Sequence, residues 1–221
     1  MFVLYGMLGF LVWVLYRQLP ANEASAEARP APLGPLKTVV IRLAALFSVD
    51  SFAGGLVVNS LLALWLFQQF GLSLSAAGAF FVGSGLLGAI SQFAAPALAR
   101  RIGLVNTMVF TYIPASLCLI AAAFSSDVRL ALGLLLARAW VTSMDVPARS
   151  AFVMSVVQPH ERAAAASFTA VRRSLASAAS PLLAGWFFES GWAAAPLVAC
   201  GVLKIAYDLA LWRAFRLSET S

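Results

Sequence analysis

The chain has 221 residues, 62% of them hydrophobic and only 11% charged, with a formal net charge of +6 and a mean hydropathy of +0.89. A soluble domain carries about 25% charged residues, so this chain cannot clothe a soluble surface and reads as integral to a membrane. Its apolar runs are long and do not alternate, which excludes a β-barrel and leaves an all-α helical bundle whose first partner is the lipid bilayer.

In chain order, the apolar runs predict spans at 1–16, 38–70, 74–97, 105–124, 130–145, 165–188 and 193–212. A spanning helix needs about 20 residues. The first run reaches only ~24 Å at 1.5 Å per residue, as if Met1 stood inside a longer helix. It lacks the basic leader of a signal peptide, and Arg17 follows it, so it reads as a membrane helix. Residues 17–37, rich in Ala, Pro and Glu, form a cytoplasmic linker. Residues 38–213 form a six-helix block, and 214–221 a cytoplasmic tail. The run 38–70 is long, holds Gly54 and Gly55, and is expected to start on the membrane surface.

Lys and Arg fix the orientation. Arg17, Arg29, Lys37, Arg100, Arg101, Arg149, Arg162, Arg213 and Arg216 flank the spans on one side, and only Arg129 lies on the other. The basic side is cytoplasmic, so the C-terminus is inside, and the expected location is the plasma (cell inner) membrane. The positive charge is thereby a topology signal, and no nucleic acid is needed to explain it.

No catalytic or cofactor motif is present. Cys118 and Cys200 lie inside apolar runs without metal-ligand spacing, and one histidine gives a metal site little to build from. No nucleophile–base pair, phosphate-binding loop or dinucleotide fingerprint appears. We therefore expect no metal, no cofactor and no enzyme. The cytoplasmic loops are too short for an ATPase domain, so any driving force is an ion gradient or the solute's own.

Six spans after the linker fall into two sets of three, the pattern of nested inverted repeats in secondary transporters. Three stretches then resemble the major facilitator superfamily. "PALARRIGLV" (Pro96 to Val105) is similar to its G-x-x-x-D-R-x-G-R-R loop: Arg101 and Gly103 match, while Pro96, Arg100, Leu104 and Val105 depart from it. The stretch from Asp145 through Arg149, Glu161 and Arg162 resembles the segment after the tenth helix. "SPLLAG" (Ser180 to Gly185) resembles the G-P-x-x-G-G packing element, with Ser180 and Ala184 in two Gly places. The resemblance covers nearly the whole chain, as a C-terminal six-helix half preceded by the end of a sixth helix. It implies alternating-access transport of a small-molecule substrate between two halves, the partner being an N-terminal half or a second copy. It also implies that spans 38–70 and 130–145 line the cavity, that 74–97 and 165–188 face the other half, and that 105–124 and 193–212 lie outermost.

An ionisable side chain at mid-membrane costs about 2.5–3.5 kcal/mol on insertion scales and needs a partner or a water-filled cavity. Asp50 stands ~18 Å into its span by helical rise. Burial and a neighbouring cation act on a carboxylate in opposite senses, so Asp50 is a candidate proton carrier; the alternative is a structural carboxylate paired with a cation. Arg138 stays charged at any relevant pH and is either a contact for an anionic substrate group or the counter-ion of Asp50. Arg173 faces a vestibule or reaches lipid phosphate. Lys204 and Asp208, four apart on the last helix, are expected to pair with each other. The set Arg101, Asp145, Arg149, Glu161 and Arg162 forms a cytoplasmic rim, and the resemblance implies that Arg101 and Asp145 latch one conformation. Small residues four apart (Ser84/Gly88, Gly85/Ala89, Ser177/Pro181, Pro181/Gly185) mark close helix packing.

Two functions compete. One is secondary active transport, with or without proton coupling, with this chain as a C-terminal half. The other is a non-transporting membrane protein, truncated or assembling with another six-helix chain.

Overall fold

The computed structural model describes residues 2–18, 37–144 and 162–215. Among these the chain is all helical: α1 (Phe2–Gln18), α2 (Lys37–Gly55), α3 (Asn59–Phe70), α4 (Leu74–Ile102), α5 (Leu104–Ala123), α6 (Val128–Thr142), α7 (Arg162–Glu189) and α8 (Ala195–Phe215). The linker residues 19–36, the stretch 145–161 and the tail 216–221 lie outside the described residues.

Among the described residues, four stretches are long and apolar enough to cross a membrane: Val40–Phe70, Leu74–Ile102, Asn106–Ala123 and Ala195–Ala214. The other three expected spans fall short for separate reasons. Helices α1 and α6 have 17 and 15 residues as described. Helix α7 has 28 residues, but Arg172, Arg173 and many Ser residues make it less apolar.

The run 38–70 is two helices. After Gly54 and Gly55 the last turn of α2 tightens through Leu56 N–H to Ala53 O and Val57 N–H to Gly54 O, both 3.2 Å, and Val58 is extended (φ −70°, ψ 155°). Such a break frees backbone groups, which membrane depth tolerates only where protein or a water-lined cavity meets them. Helix α3 ends at Gly71, whose left-handed φ of 63° lets its N–H cap the Phe67 carbonyl at 2.9 Å. Ser73 then caps α4 by accepting from Ala76 N–H, and Asp127 caps α6 by accepting from Arg129 N–H at 2.8 Å.

The stretch "PALARRIGLV" is helical up to Ile102 where a loop is expected at 98–104. The helix runs through Pro96 and ends with Arg100 and Arg101 in its last turn, where cations complement the negative helix end. Gly103 alone separates α4 from α5; its φ of 87° with ψ of 162° is open to glycine and little else.

Helix α2 lies chiefly against α7 and α8, and α5 against α8 and α6. The third helices of the two sets, α5 and α8, pack on each other. A larger share of α5 and α8 is buried within the bundle than of α4, because α4 and α7 turn apolar side chains such as Leu86, Phe93, Leu175 and Leu182 outward.

The core forms two apolar layers. One holds Leu43, Phe47, Met108, Val109, Tyr207 and Leu211. The other holds Ala53, Leu56, Trp65, Leu66, Leu119, Leu135, Ala184, Leu197 and Cys200. On α2, α5 and α8 alike, a polar level falls between them: Asp50 and Ser51, Tyr112, and Lys204.

Candidate functional site

The polar level opens into a cavity of about 900 Å³, lined by residues of α2, α5, α7, α8 and the break after α2. Each wall has a local cause. The broken end of α2 supplies Asp50, Ser51, Gly54, Gly55 and Val58. Helix α7 supplies Arg173, Ser174, Ser177 and Pro181, α5 supplies Tyr112, and α8 supplies Lys204. Helix α7 approaches α2 closely because Gly55 has no side chain: a Cβ there would lie 2.8 Å from the Ser177 carbonyl oxygen and closer still to Ser180 Oγ.

Across this cavity Lys204 Nζ donates to Asp50 Oδ1 at 2.6 Å, joining α8 to α2 over 154 residues of sequence. Both side chains are almost fully buried. The ammonium also lies 4.5 Å from the centre of the Tyr112 ring, a cation–π distance. The expected pairing of Lys204 with Asp208 is therefore corrected: Lys204 turns across the helix interface to α2. Asp208 is fully buried one turn further along α8, outside the cavity lining.

Among the described residues, Arg173 is positioned by neutral partners. Its Nε donates to Ser51 Oγ at 3.0 Å, and its guanidinium carbon lies 6.0 Å from the Phe47 ring centre. Its neighbour Arg172 is exposed and stacks over Phe168 at 4.2 Å, on the same helix and away from the cavity.

Other hydroxyls satisfy themselves on their own helix. Thr111 Oγ1 donates to Thr107 O at 2.7 Å, and Ser180 Oγ to Ser177 O at 3.0 Å. This is the usual recourse of Ser and Thr in an apolar environment.

Of the expected site residues, the fold brings together Asp50 and Arg173. Arg138, on α6, is half-buried and does not line this cavity; the counter-ion of Asp50 is Lys204. Arg138 does lie within electrostatic range of Cys200, one turn from Lys204. Of the rim residues, Arg101 is exposed at the end of α4 and Arg162 begins α7, while Asp145, Arg149 and Glu161 lie outside the described residues.

Sequence reasoning missed Tyr112 and Ser51. A tyrosine in the middle of an apolar run carries a hydroxyl that burial obliges to find a partner, and that signal was available. Of the small-residue pairs, Gly88 meets α6, where a Cβ would stand 2.6 Å from Ser143 Oγ, whereas Gly85 and Gly185 face open space.

Both cysteines are free, and among the described residues no cluster of His, Cys, Asp and Glu could hold a metal ion. No curated protein matches the chain. The sequence profile of the Major Facilitator Superfamily matches residues 43–220. That stretch includes the cavity, both apolar layers, most of α2 and, among the described residues, every helix from α3 to α8, so the chain belongs to the Major Facilitator Superfamily, a family of membrane transporters.

Proposed function

We propose that this protein moves a small solute across the plasma membrane by proton-coupled alternating access, as one six-helix half of a two-half transporter with its C-terminus in the cytoplasm. The observation that carries the reading is the Asp50–Lys204 pair, buried in a cavity wall between two apolar layers. Protonating Asp50 removes the charge that holds Lys204. Breaking a buried pair in this way costs about 3–5 kcal/mol. A shift of about 5.5 kcal/mol takes a two-state equilibrium from 1:99 to 99:1, so the pair commands most of what a conformational switch needs. Solute binding and protonation then act on one structural joint, between α2 and α8.

The outward apolar faces of α4 and α7 support the two-half arrangement. Phe93 is 86% exposed and Leu182 80%, and a second six-helix unit, an N-terminal half or another copy, covers such faces while closing the cavity. The basic residues at the cytoplasmic ends support the orientation. Arg101 at the end of α4, with Asp145, makes the cytoplasmic latch in this reading. A charge swap of the two that fails to rescue the single variants removes the latch from it.

The test is substrate-dependent proton flux. Proteoliposomes holding the full chain and an internal pH dye are challenged with a panel of small solutes under an imposed pH gradient. Wild type is expected to couple solute entry to proton entry. Asp50→Asn is expected to lose gradient-driven accumulation while keeping exchange of solute for solute. Equal coupled uptake by both would overturn the role given to Asp50.

A further inference from the structure

The charged groups of the cavity do not balance. Lys204 is answered by Asp50 at 2.6 Å. Arg173, on the facing helix, meets only neutral partners, the Ser51 hydroxyl at 3.0 Å and the Phe47 ring. Among the described residues no carboxylate pairs with it. Of the charged residues elsewhere on the packed helices, Arg42, Arg172, Arg213 and the helix-terminal Glu189 are exposed, Arg138 lies on α6 outside the lining, and Asp208 is buried one turn beyond Lys204. The lining is thus left with one uncompensated positive charge.

An arginine cannot shed that charge by deprotonating, and holding it unpaired at membrane depth is costly. The Ser51 bond occupies Nε alone, which orients the guanidinium and leaves its two terminal nitrogens without a hydrogen-bond partner among the described residues. That edge fits the two oxygens of an oxyanion in a bidentate manner. Around it the hydroxyls of Ser174 and Ser177 are neutral acceptors and donors, while Val58, Tyr112 and Pro181 offer apolar surface. A volume of about 900 Å³ suits a small organic molecule.

We propose that the cavity takes an organic monoanion, its oxyanion head held by the terminal nitrogens of Arg173 and its apolar body set against Val58, Tyr112 and Pro181. This rests on the reading of the cavity as the transport site. It divides the labour there: Arg173 recognises charge, and Asp50 with Lys204 carries the proton step. One anion neutralises the cavity, so a dianion would leave it negative and a cation would add to a charge already unbalanced.

Binding is tested apart from transport. The purified full chain in micelles is titrated with hexanoate, hexanesulfonate and neutral hexanamide, followed by intrinsic tryptophan fluorescence. The two anions are expected to bind and hexanamide to bind at least about tenfold more weakly. Arg173→Gln is expected to erase the preference for the anions, Arg173→Lys to keep part of it, and Arg172→Gln to leave it unchanged. Equal binding of hexanoate and hexanamide, or an anion preference that survives Arg173→Gln, would overturn the proposal. If Arg173→Gln does not fold, the wild-type comparison of hexanoate with hexanamide decides alone. Anion binding without proton flux in the vesicles supports this site and counts against the transport reading. Coupled flux of neutral solutes, with no anion preference in micelles, supports the transport reading and overturns this site.

Discussion

Gly55 of α2 rests against Ser180 of α7 so closely that no side chain fits between them, and the Ser177 carbonyl oxygen stands 2.8 Å from where a Cβ would be. A backbone oxygen cannot swing aside as a flexible side chain does. Overpacking of this kind costs about 1–3 kcal/mol. Gly55→Ala is therefore expected to lower the thermal midpoint of the purified protein in micelles and to alter the cavity. Gly54→Ala is the control. Nothing lies within 4 Å of its added methyl, and it should leave the midpoint unchanged or raise it, since alanine favours helix by about 1 kcal/mol.

The ion pair gives a second prediction. Asp50→Leu leaves Lys204 buried without its carboxylate, and Lys204→Met leaves Asp50 without its ammonium. Each single variant is expected to lose about 3–5 kcal/mol of stability. The double variant should recover most of it, because an apolar pair of similar volume suits a site between two apolar layers. Unfolding in a denaturing detergent, run as a double-variant cycle, measures the coupling. Losses that simply add would show that the two side chains act independently.

A third concerns the α5–α8 seam, where Gly201 faces Ile120. A Cβ at Gly201 would lie 2.5 Å from Ile120 Cγ1 and 3.1 Å from the Ser116 carbonyl oxygen. Gly201→Ala should destabilise by about 1–3 kcal/mol, and adding Ile120→Ala should recover part of the loss by removing the nearer obstacle. A double variant no more stable than Gly201→Ala would mean that the backbone contact dominates.

Orientation gives the fourth. In a background of Cys118→Ala and Cys200→Ala, a single cysteine replaces either Ser126 or Arg100, both exposed. A membrane-impermeant maleimide applied to intact cells is expected to label Ser126→Cys at once and Arg100→Cys only after permeabilisation. The reverse pattern would invert the topology read from the basic residues.

How much of this was legible in the sequence differs by scale. The all-helical character was, because long apolar runs have few alternative explanations, whereas of the seven expected spans four stretches among the described residues are long and apolar enough to cross a membrane, and the run 38–70 is two helices. Asp50 and Arg173 stand out in the sequence because charges at membrane depth are costly, and both line the cavity. Their neighbours were harder to assign. Lys204 and Asp208 satisfy the local i, i+4 rule, yet Lys204 pairs with a residue 154 positions away, and no local rule weighs such a partner. Arg138 was assigned to the cavity by helix order, but the cavity is walled by α2, α5, α7 and α8. In a membrane both the lipid-facing and the protein-facing sides of a helix are apolar, so periodicity does not reveal which face turns inward. Family order supplied a guess where physics supplied none.

The single residue between α4 and α5 has a mechanical consequence. Two helices of 29 and 20 residues meet at Gly103 with no slack in the connection. Tilting α4 by a few degrees must either carry α5 with it or be absorbed entirely in the two dihedral angles of that glycine. Since α5 holds Tyr112 against Lys204, Gly103 is the single backbone position that sets whether a tilt of α4 reaches the aromatic ring beside the buried ion pair or stops short of it.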